Sequence, residues 1–561
     1  MIEPSELLGG DTSTAATSPA PVLVPAGAGG ANASTSFDAA DNYDAALARW
    51  NPSFQSADAD IIPEKSLLDA RTRDVVRNDA YIQGGTNLHK DNIVGSHYLL
   101  NTRPSSRHLF GKIDEIWEEE FQEEVEELWD LHSESPDNWI DAQRTNNFTS
   151  LIRLAVGVMV LGGEVLAVVE WLREARPFST AIQMIDTDRL SDPMIVDPFQ
   201  RNDVRGGIRY DRQGAPISYF IRTEHPADLY TSLSRPGLPE WKEVPIRKPW
   251  GRMQVIHLKE QVRPDQSRGF SELTSALREM KFAKKFRSLQ LDSAVLQSLY
   301  AATITSDMPV EQLFQALGGS SSPETAQETI TNYTTAYLSS IAQYVGGSKS
   351  LRMDGVRVPY LYPGTKLDMV SPSGGKEVGK EFEQSLLRYI AAALGVSYEQ
   401  LSRDYTQTNY SSARAAMTET WKFMQARKKL IADRFATHIY RLWLEEIVNK
   451  NMLSTFPNRR RATLYTNGFL NTKFDALSRC EWVGASRGQI DELKETEAAV
   501  LRIDNGLSTR EEELARLGKD FRKVYRQLAR EEKMAKAYNL MFGTKAKAVS
   551  SATAPEAQTN A

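Results

Sequence analysis

Two glycine-framed stretches of this chain have spacings that could do chemistry. Gly374-Gly375-Lys376-Glu377-Val378-Gly379-Lys380 matches the GxxxxGK frame of a phosphate-binding loop. In such a loop, backbone amides cradle the phosphates and the next side chain, a hydroxyl, holds magnesium. Here that residue is Glu381, whose carboxylate would repel phosphate. The preceding Ser371-Pro372-Ser373 reads as a turn rather than a core strand, and no acidic metal ligand closes a later apolar strand. Nucleotide hydrolysis is not expected. Gly484-Ala485-Ser486-Arg487-Gly488 matches GxSxG, the nucleophile elbow, which needs an acid and then a histidine further along the chain. The last histidine is His438, upstream of Ser486, so the triad cannot be completed in that order.

The seven histidines include no pair at the i, i+4 spacing of a helical metal site, and Cys480 is the single cysteine. One cysteine allows no intrachain disulfide, which suits a reducing compartment, and reads as a small apolar residue rather than a nucleophile. His257, alternating with apolar neighbours in Val255-Ile256-His257-Leu258, reads as structural. The expectation is a protein that is not an enzyme, with no catalytic residue, cofactor or metal.

Around these motifs stand elements that position something else. Phe382, Leu386, Leu387, Ile390 and Leu394 recur at helical steps, and Gly395 stands where a left-handed helix end is expected. Val396–Tyr410 is polar and aromatic, and reads as a loop. Ser411 or Ser412 can cap the helix that follows, which runs to Asn449 without proline or glycine. Upstream, Ser271–Thr303 predicts another long helix. Its apolar stripe is Phe282, Phe286, Leu289, Ser293, Leu296 and Tyr300, and its first half carries Lys281, Lys284, Lys285 and Arg287. Between the two lies an insertion, 304–375, with helical segments followed by two strands.

The flanking segments read in the same way. Ala45–Asn92 predicts mostly helix. Ile113–Asp130 predicts an amphipathic surface helix, with Trp117, Phe121, Val125, Leu128 and Trp129 inward and ten carboxylates outward. Leu151–Leu172 is interrupted by Arg153, Glu164 and Glu170 and split at Gly162-Gly163, which predicts a buried helix and then a turn or strand, not a membrane span. Short strands follow from Ala181. Ile490–Asp504, a helix opened by the Thr509–Glu512 capping box, and Phe521–Asn539 predict a C-terminal helical region. The fold class is α+β, mostly helical. Residues 1–42 and 544–561 read as disordered. The N-terminus shows no charged segment before an apolar run, so no secretory leader is expected. A net charge of −6 gives no global basic footprint for tight nucleic-acid binding.

Four blocks resemble the lambda-type portal proteins of tailed bacteriophages. They are YDAALARWNP with RTRDVVRNDAYIQGGTNLHKDNIVG (43–95), VIHLKEQVRPDQSRGFSEL (255–273), YIAAALGVSYEQLSRDYTQTNYSSARA with the following W…F…RKK helix, and WVGASRGQIDELKETEAAVLRIDNGLSTREEELARLGKDF (482–521). The resemblance implies a ring homo-oligomer, typically of twelve copies, at one procapsid vertex of the virion, assembled in the host cytoplasm. It implies a wing (43–268), a first stem helix (269–303), a clip (304–375), a second stem helix (376–395), a tunnel loop (396–411), a long wing helix with return strands (412–484) and a helical crown (485–543). The implied tunnel-loop residues facing DNA are Arg403, Asp404, Tyr405, Thr406, Asn409 and Tyr410. Lys281, Lys284, Lys285 and Arg287 are the implied cations of the stem channel, with salt bridges between subunits as their other reading. Implied partners are double-stranded DNA held weakly and without sequence preference, the terminase large subunit, the major capsid protein, a scaffold and head–tail adaptor proteins, with no membrane. The competing readings are a packaging ATPase, which lacks its phosphate loop here, and a scaffold or minor capsid protein, which would not need two long helices around a polar loop.

Overall fold

The computed structural model of the chain describes residues 49–173, 176–193, 203–228, 240–299, 331–332, 335, 339, 350–353, 356–359, 375–406, 408–466, 469–488 and 491–540. The expected terminal arms lie outside these residues, as does most of the expected clip. Contacts divide the chain into Met1–Ser56 and Ala57–Ala561. Of the first unit, residues 49–56 are described and contain neither helix nor strand.

The second unit opens with α1 (Ala57–Asn78) and α2 (Ala80–Ile93), divided at Asp79, whose carboxylate accepts from the Tyr81 and Ile82 amides and so caps α2. Strand β1 (Leu99–Thr102) and α3 (Ser106–Phe110) lead to α4 (Glu115–Ser133). Here the expected amphipathic face is present: Trp117, Phe121, Val125 and Trp129 are buried, and Leu128 packs at the edge. Next, α5 (Phe148–Gly162) ends at Gly163, whose φ of 71° is left-handed, and β2 (Glu164–Trp171) begins at once. Leu151–Leu172 is thus a buried helix and a buried strand. Among the described residues no helix is long and apolar enough to cross a membrane.

Strands β3 (Thr180–Ile185), β4 (Val204–Arg205), β5 (Ile208–Tyr210), β6 (Pro216–Arg222), β7 (Trp241–Pro245) and β8 (Val255–Lys259) form two antiparallel sheets, ordered β3-β2-β8 and β4-β5-β6-β7. Successive residues of a strand point to opposite faces. In β2 both faces are buried: Val165, Ala167 and Val169 enter the main core, while Leu166 and Val168 join Ile208, Tyr219, Ile221 and Val244 in a second one.

Beyond β8 the structure corrects the expected helix from Ser271. Ser271 caps a 3-10 turn, Glu272–Ala276, and the α-helix α6 runs Leu277–Leu299. Its apolar stripe is not a buried one. Phe282 and Leu289 are exposed, and Phe286 meets Phe382 edge-on with ring centroids 5.0 Å apart. Strands β9 (Ser350–Met353) and β10 (Val356–Pro359) pair antiparallel in the part of the insertion where two strands are expected, and most of the expected helical segments there lie outside the described residues. Helix α7 (Gly375–Leu394) begins inside the GxxxxGK frame, so that frame is helix and not a phosphate loop. Gly379 faces α6, where a Cβ would lie 2.5 Å from the end of the flexible Gln290 side chain.

The chain continues through α8 (Tyr398–Ser402), α9 (Tyr410–Arg427), a π-helical turn at Lys428–Ala432, and α10 (Asp433–Asn449). Then come α11 (Asn458–Arg461), β11 (Tyr465–Thr466), β12 (Phe469–Leu470), α12 (Thr472–Leu477) and β13 (Cys480–Val483), which pairs antiparallel with β1. The main core centres on Trp129, 4.9 Å from Phe148 and 5.0 Å from Trp443 between ring centroids, with Trp482 5.2 Å from Phe148. Burial pushes the Cys480 thiol up to about 11, so it is inert at neutral pH. The GxSxG frame follows β13 as an irregular segment. Gly484 fits because a Cβ would lie 2.7 Å from the Ile93 carbonyl, and Ser486 is exposed with no helix directly after it.

The last three helices are α13 (Glu492–Asp504), α14 (Arg510–Arg516) and α15 (Phe521–Ala537), with the expected Thr509–Glu512 capping box at α14. The acidic face of α4 receives α15: Lys523 pairs with Asp130, and Arg526 with Glu123 (3.2 Å) and Glu127 (2.9 Å).

One buried ionic cluster ties the sheets to the helices. The Glu164 carboxylate is fully enclosed and accepts from Arg268 Nη2 at 2.7 Å and from the Gly269 amide at 2.8 Å. Lys65 lies 3.3 Å away and His257 3.2 Å away. Arg268 also donates to the carbonyls of Thr187 (2.9 Å) and Leu190 (2.6 Å). Arg268, Lys65 and His257 outweigh the burial that opposes charging, and hold the Glu164 carboxyl well below its usual range. Replacing one member of a buried ion pair leaves its partner uncompensated. Glu164→Gln is therefore expected to cost about 3–5 kcal/mol of stability, read as a lower urea midpoint. A loss within error of zero would show that the carbonyls alone neutralise Arg268.

Candidate functional site: an anchored, exposed loop

The segment between α7 and α9 is held at its base and free at its tip. At the base, α7 ends on Leu394, whose carbonyl accepts from the His89 ring Nε2 at 2.8 Å. Gly395 then adopts φ 64°, and a Cβ there would come within 2.5 Å of the Phe423 ring on α9. Both the backbone conformation and the space select glycine. The expected loop 396–411 is shorter in the structure, because Ser397 and Gln400 form a reciprocal capping box that folds α8. Leu401 of α8 is buried and packs on Gly85 of α2, where a Cβ would lie 3.2 Å from its Cδ1.

The tip proper is residues 403–409. Arg403 is exposed in the left-handed region, with φ 57°. The Asp404 carboxylate accepts from the Thr406 amide (3.1 Å) and hydroxyl (2.6 Å), and these bonds hold its pKa below the ordinary value. Asn409, rather than Ser411 or Ser412, caps α9 by accepting from the Ser412 amide at 2.8 Å. Tyr405, Thr406, Asn409 and Tyr410 are all exposed. The turn is thus fixed locally by its own side-chain bonds, while its aromatic and cationic groups face outward.

The C-terminal end of α9 is secured by Arg427, which pairs with Glu260 and Glu272 and stacks over Phe423 at 5.2 Å. Of the expected stem cations, Lys281, Lys284 and Lys285 are exposed on α6. Their i, i+3, i+4 spacing places them on one helix face. Arg287 is engaged within the chain: it reaches Asp79 (3.2 Å) and Glu383 (3.1 Å) and lies over the Tyr81 ring at 4.8 Å. The structure therefore gathers the loop residues at one tip and separates Arg287 from the lysines.

Sequence reasoning missed His89, Gly85, Leu401 and Phe423, the residues that position the loop. Glycine in the middle of α2 was the available signal, since it weakens a helix unless something approaches closely. His89 stays neutral, because burial takes its pKa down to about 4.

Comparison with known proteins gives the family. A family model described as phage portal protein, lambda family, matches residues 43–428. The chain is 35% identical over 497 residues to the portal protein of Escherichia phage N15, covering 88% of this chain and 89% of that one. It is also 35% identical over 500 residues to portal protein B of Escherichia phage lambda, covering 88% of each. Among solved structures, a chain from the neck of an empty GTA particle aligns over 80% of this chain and 93% of its own length, at 14% identity and a TM-score of 0.37. The chain belongs to the lambda family of phage portal proteins.

Two outcomes test the anchoring. Gly395→Val forces a β-branched residue into a left-handed conformation against Phe423, and is expected to cost about 1–3 kcal/mol, seen as a lower calorimetric midpoint with faster proteolysis near residue 403. The folded pKa of His89 lies below its ordinary value of 6.5. Its contribution is complete above that value and is lost as pH falls toward 4. A thermal-midpoint titration should show this acid limb, and His89→Gln should make it shallower without removing it, because burial also takes His132 and His438 down to about 4.

Proposed function

We propose that the chain is the subunit of a ring of twelve copies at one procapsid vertex, forming the conduit through which DNA enters during packaging and leaves during ejection. Membership of the lambda portal family, with 35% identity along 88% of the chain, is the observation that carries this reading. In this assignment residues 43–268 form the wing, α6 and α7 the stem, 304–375 the clip, 396–411 the tunnel loop, 412–484 the long wing helix with its return strands, and 485–543 the crown. The partners are DNA, the terminase large subunit, the major capsid protein, a scaffold and head–tail adaptors. No reaction is assigned to the chain.

The physics of the conduit supports the same reading. Twelve copies carry a formal charge of about −72, from −6 each. Duplex DNA carries one charge per roughly 1.7 Å. Net repulsion lets a duplex move, and rings of Lys281, Lys284, Lys285 and Arg403 supply brief contacts. Tyr405, Thr406, Asn409 and Tyr410, on a tip anchored through α8 at its base, would form the constriction, with Asp404 holding the turn.

Negative-stain micrographs of the purified protein should show rings with a central hole and a mass of roughly 750 kDa, twelve times 62.9 kDa. A particle of one subunit that hydrolyses ATP would overturn the assignment. Deleting Tyr405–Asn409 should leave ring assembly intact and impair DNA packaging or retention. Failure of the ring to form would make the loop a structural element instead.

A further inference from the structure

Among the described residues, the C-terminal helices do not make a core within one chain. Of the described residues 492–540, Ser508, Glu513 and Ala535 are buried, and α13 has no buried residue at all. Large apolar side chains face outward along this segment, including Leu493 (71% exposed) on α13, Leu507 (78%) before α14, Leu528 (52%) on α15 and Tyr538 (75%) just after it. What holds these helices to the rest of the chain is polar: Lys523 and Arg526 on α4, Arg522 to Gln122 at 2.7 Å, and Asn101 and Arg103 to Glu511 at 3.0 Å each. Exposed ion pairs of this kind contribute little, and isolated helices of this length are marginal. Even against α9 the packing is incomplete. A cleft of about 660 Å³, lined in part by Tyr410, Trp421, Ala499 and Leu517, separates α9 from α13 and α14.

The charges identify what covers this surface. Residues 492–516 carry seven carboxylates and four cations, a net of −3, whereas 521–537 carry six cations and two carboxylates; Arg522, Lys523 and Arg526 already serve α4, which leaves Arg530, Lys533 and Lys536 to face a partner. The two ends of the same segment are therefore complementary to one another. Complementary patches at different places on one subunit generate a head-to-tail contact, which closes into a ring when the rotation allows. The chain's own remaining tail, 541–561, offers only Met541, Phe542 and Val549 as large apolar residues. DNA would present phosphates, not apolar surface.

We infer that α13–α15 complete their hydrophobic core only against a second copy of this chain, with the basic, apolar-striped α15 of one subunit seated on the acidic α13–α14 of the next. This rests on the ring reading and adds to it. The C-terminal helices become firmly ordered on ring closure, and their order reports that the ring is complete.

The test compares monomers, obtained by dilution, with assembled rings of the full chain under limited trypsin digestion. Cleavage within 492–540 is expected to be at least tenfold slower in the ring. The double variant Leu528→Asp, Tyr538→Asp, checked by circular dichroism for wild-type helix content as a monomer, should raise the concentration for half-assembly at least tenfold in sedimentation velocity. The charge reversal Arg530→Glu, Lys533→Glu should act in the same direction and grow weaker with added salt. Wild-type rings cut within 492–540 as fast as monomers would overturn the inference while leaving the ring reading intact, as would variants that assemble at wild-type concentrations. A wild-type chain that never forms rings would sink both.

Discussion

The Glu164 carboxylate sits in a dry site and keeps its charge because Arg268, Lys65, His257 and the Gly269 amide surround it. These partners come from α1, β8 and the segment leading into α6, more than a hundred residues apart at the extremes. A buried charge is tolerated only with such company, so the position of each segment is conditional on the others. Gly163 and Gly269 make the approach possible, since a Cβ at Gly163 would fall 2.0 Å from the Phe270 carbonyl. This junction fixes where α6 leaves the α+β region. Everything aligned with α6, including α7 and the loop after it, inherits its direction from there.

From that junction the constraint passes along helices. Arg287 couples α6 to the cap of α2 and to α7, and Arg427 couples α9 to the turn at Glu272. The C-terminal half of the long helix is locked more firmly still. Glu446 accepts from the Ser179 amide at 2.6 Å and the Thr180 amide at 2.8 Å, and Glu445 from Arg252 at 2.7 Å. The result is a gradient along one helical rod, from a largely buried α10 to an exposed end at Tyr410. A loop at the free end of a rigid rod has a defined position and an open face, which suits a contact that must be made and broken repeatedly.

The same contrast separates the two ends of the acidic helix α4. Its inner face carries the aromatic core, whose burial is the dominant favourable term in folding. Its outer side holds α15 by ion pairs and a hydrogen bond from Arg522 to Gln122. Stability is thus concentrated around Trp129 and thins toward the C-terminus, where the surface is still apolar and uncovered in a single chain.

By itself, the sequence determined the elements and the class. Helical periodicity marked α4, α7 and α9, the Gly162-Gly163 break marked the change from helix to strand, and Thr509–Glu512 marked a cap, because each rests on bonds among near neighbours. It also disposed of the two catalytic-looking frames, through Glu381 and through the order of His438 and Ser486. The tertiary structure decided the rest. That Arg287 serves Asp79 and Glu383, that His89 and Phe423 clamp Gly395, that Ser397 and Leu401 shorten the loop, and that Glu164 is a hub rather than a stray charge all depend on residues brought together from distant segments. Local spacing carries no record of such encounters. A lysine or arginine reads alike in sequence whether it faces solvent or a buried carboxylate, and only packing tells the two apart.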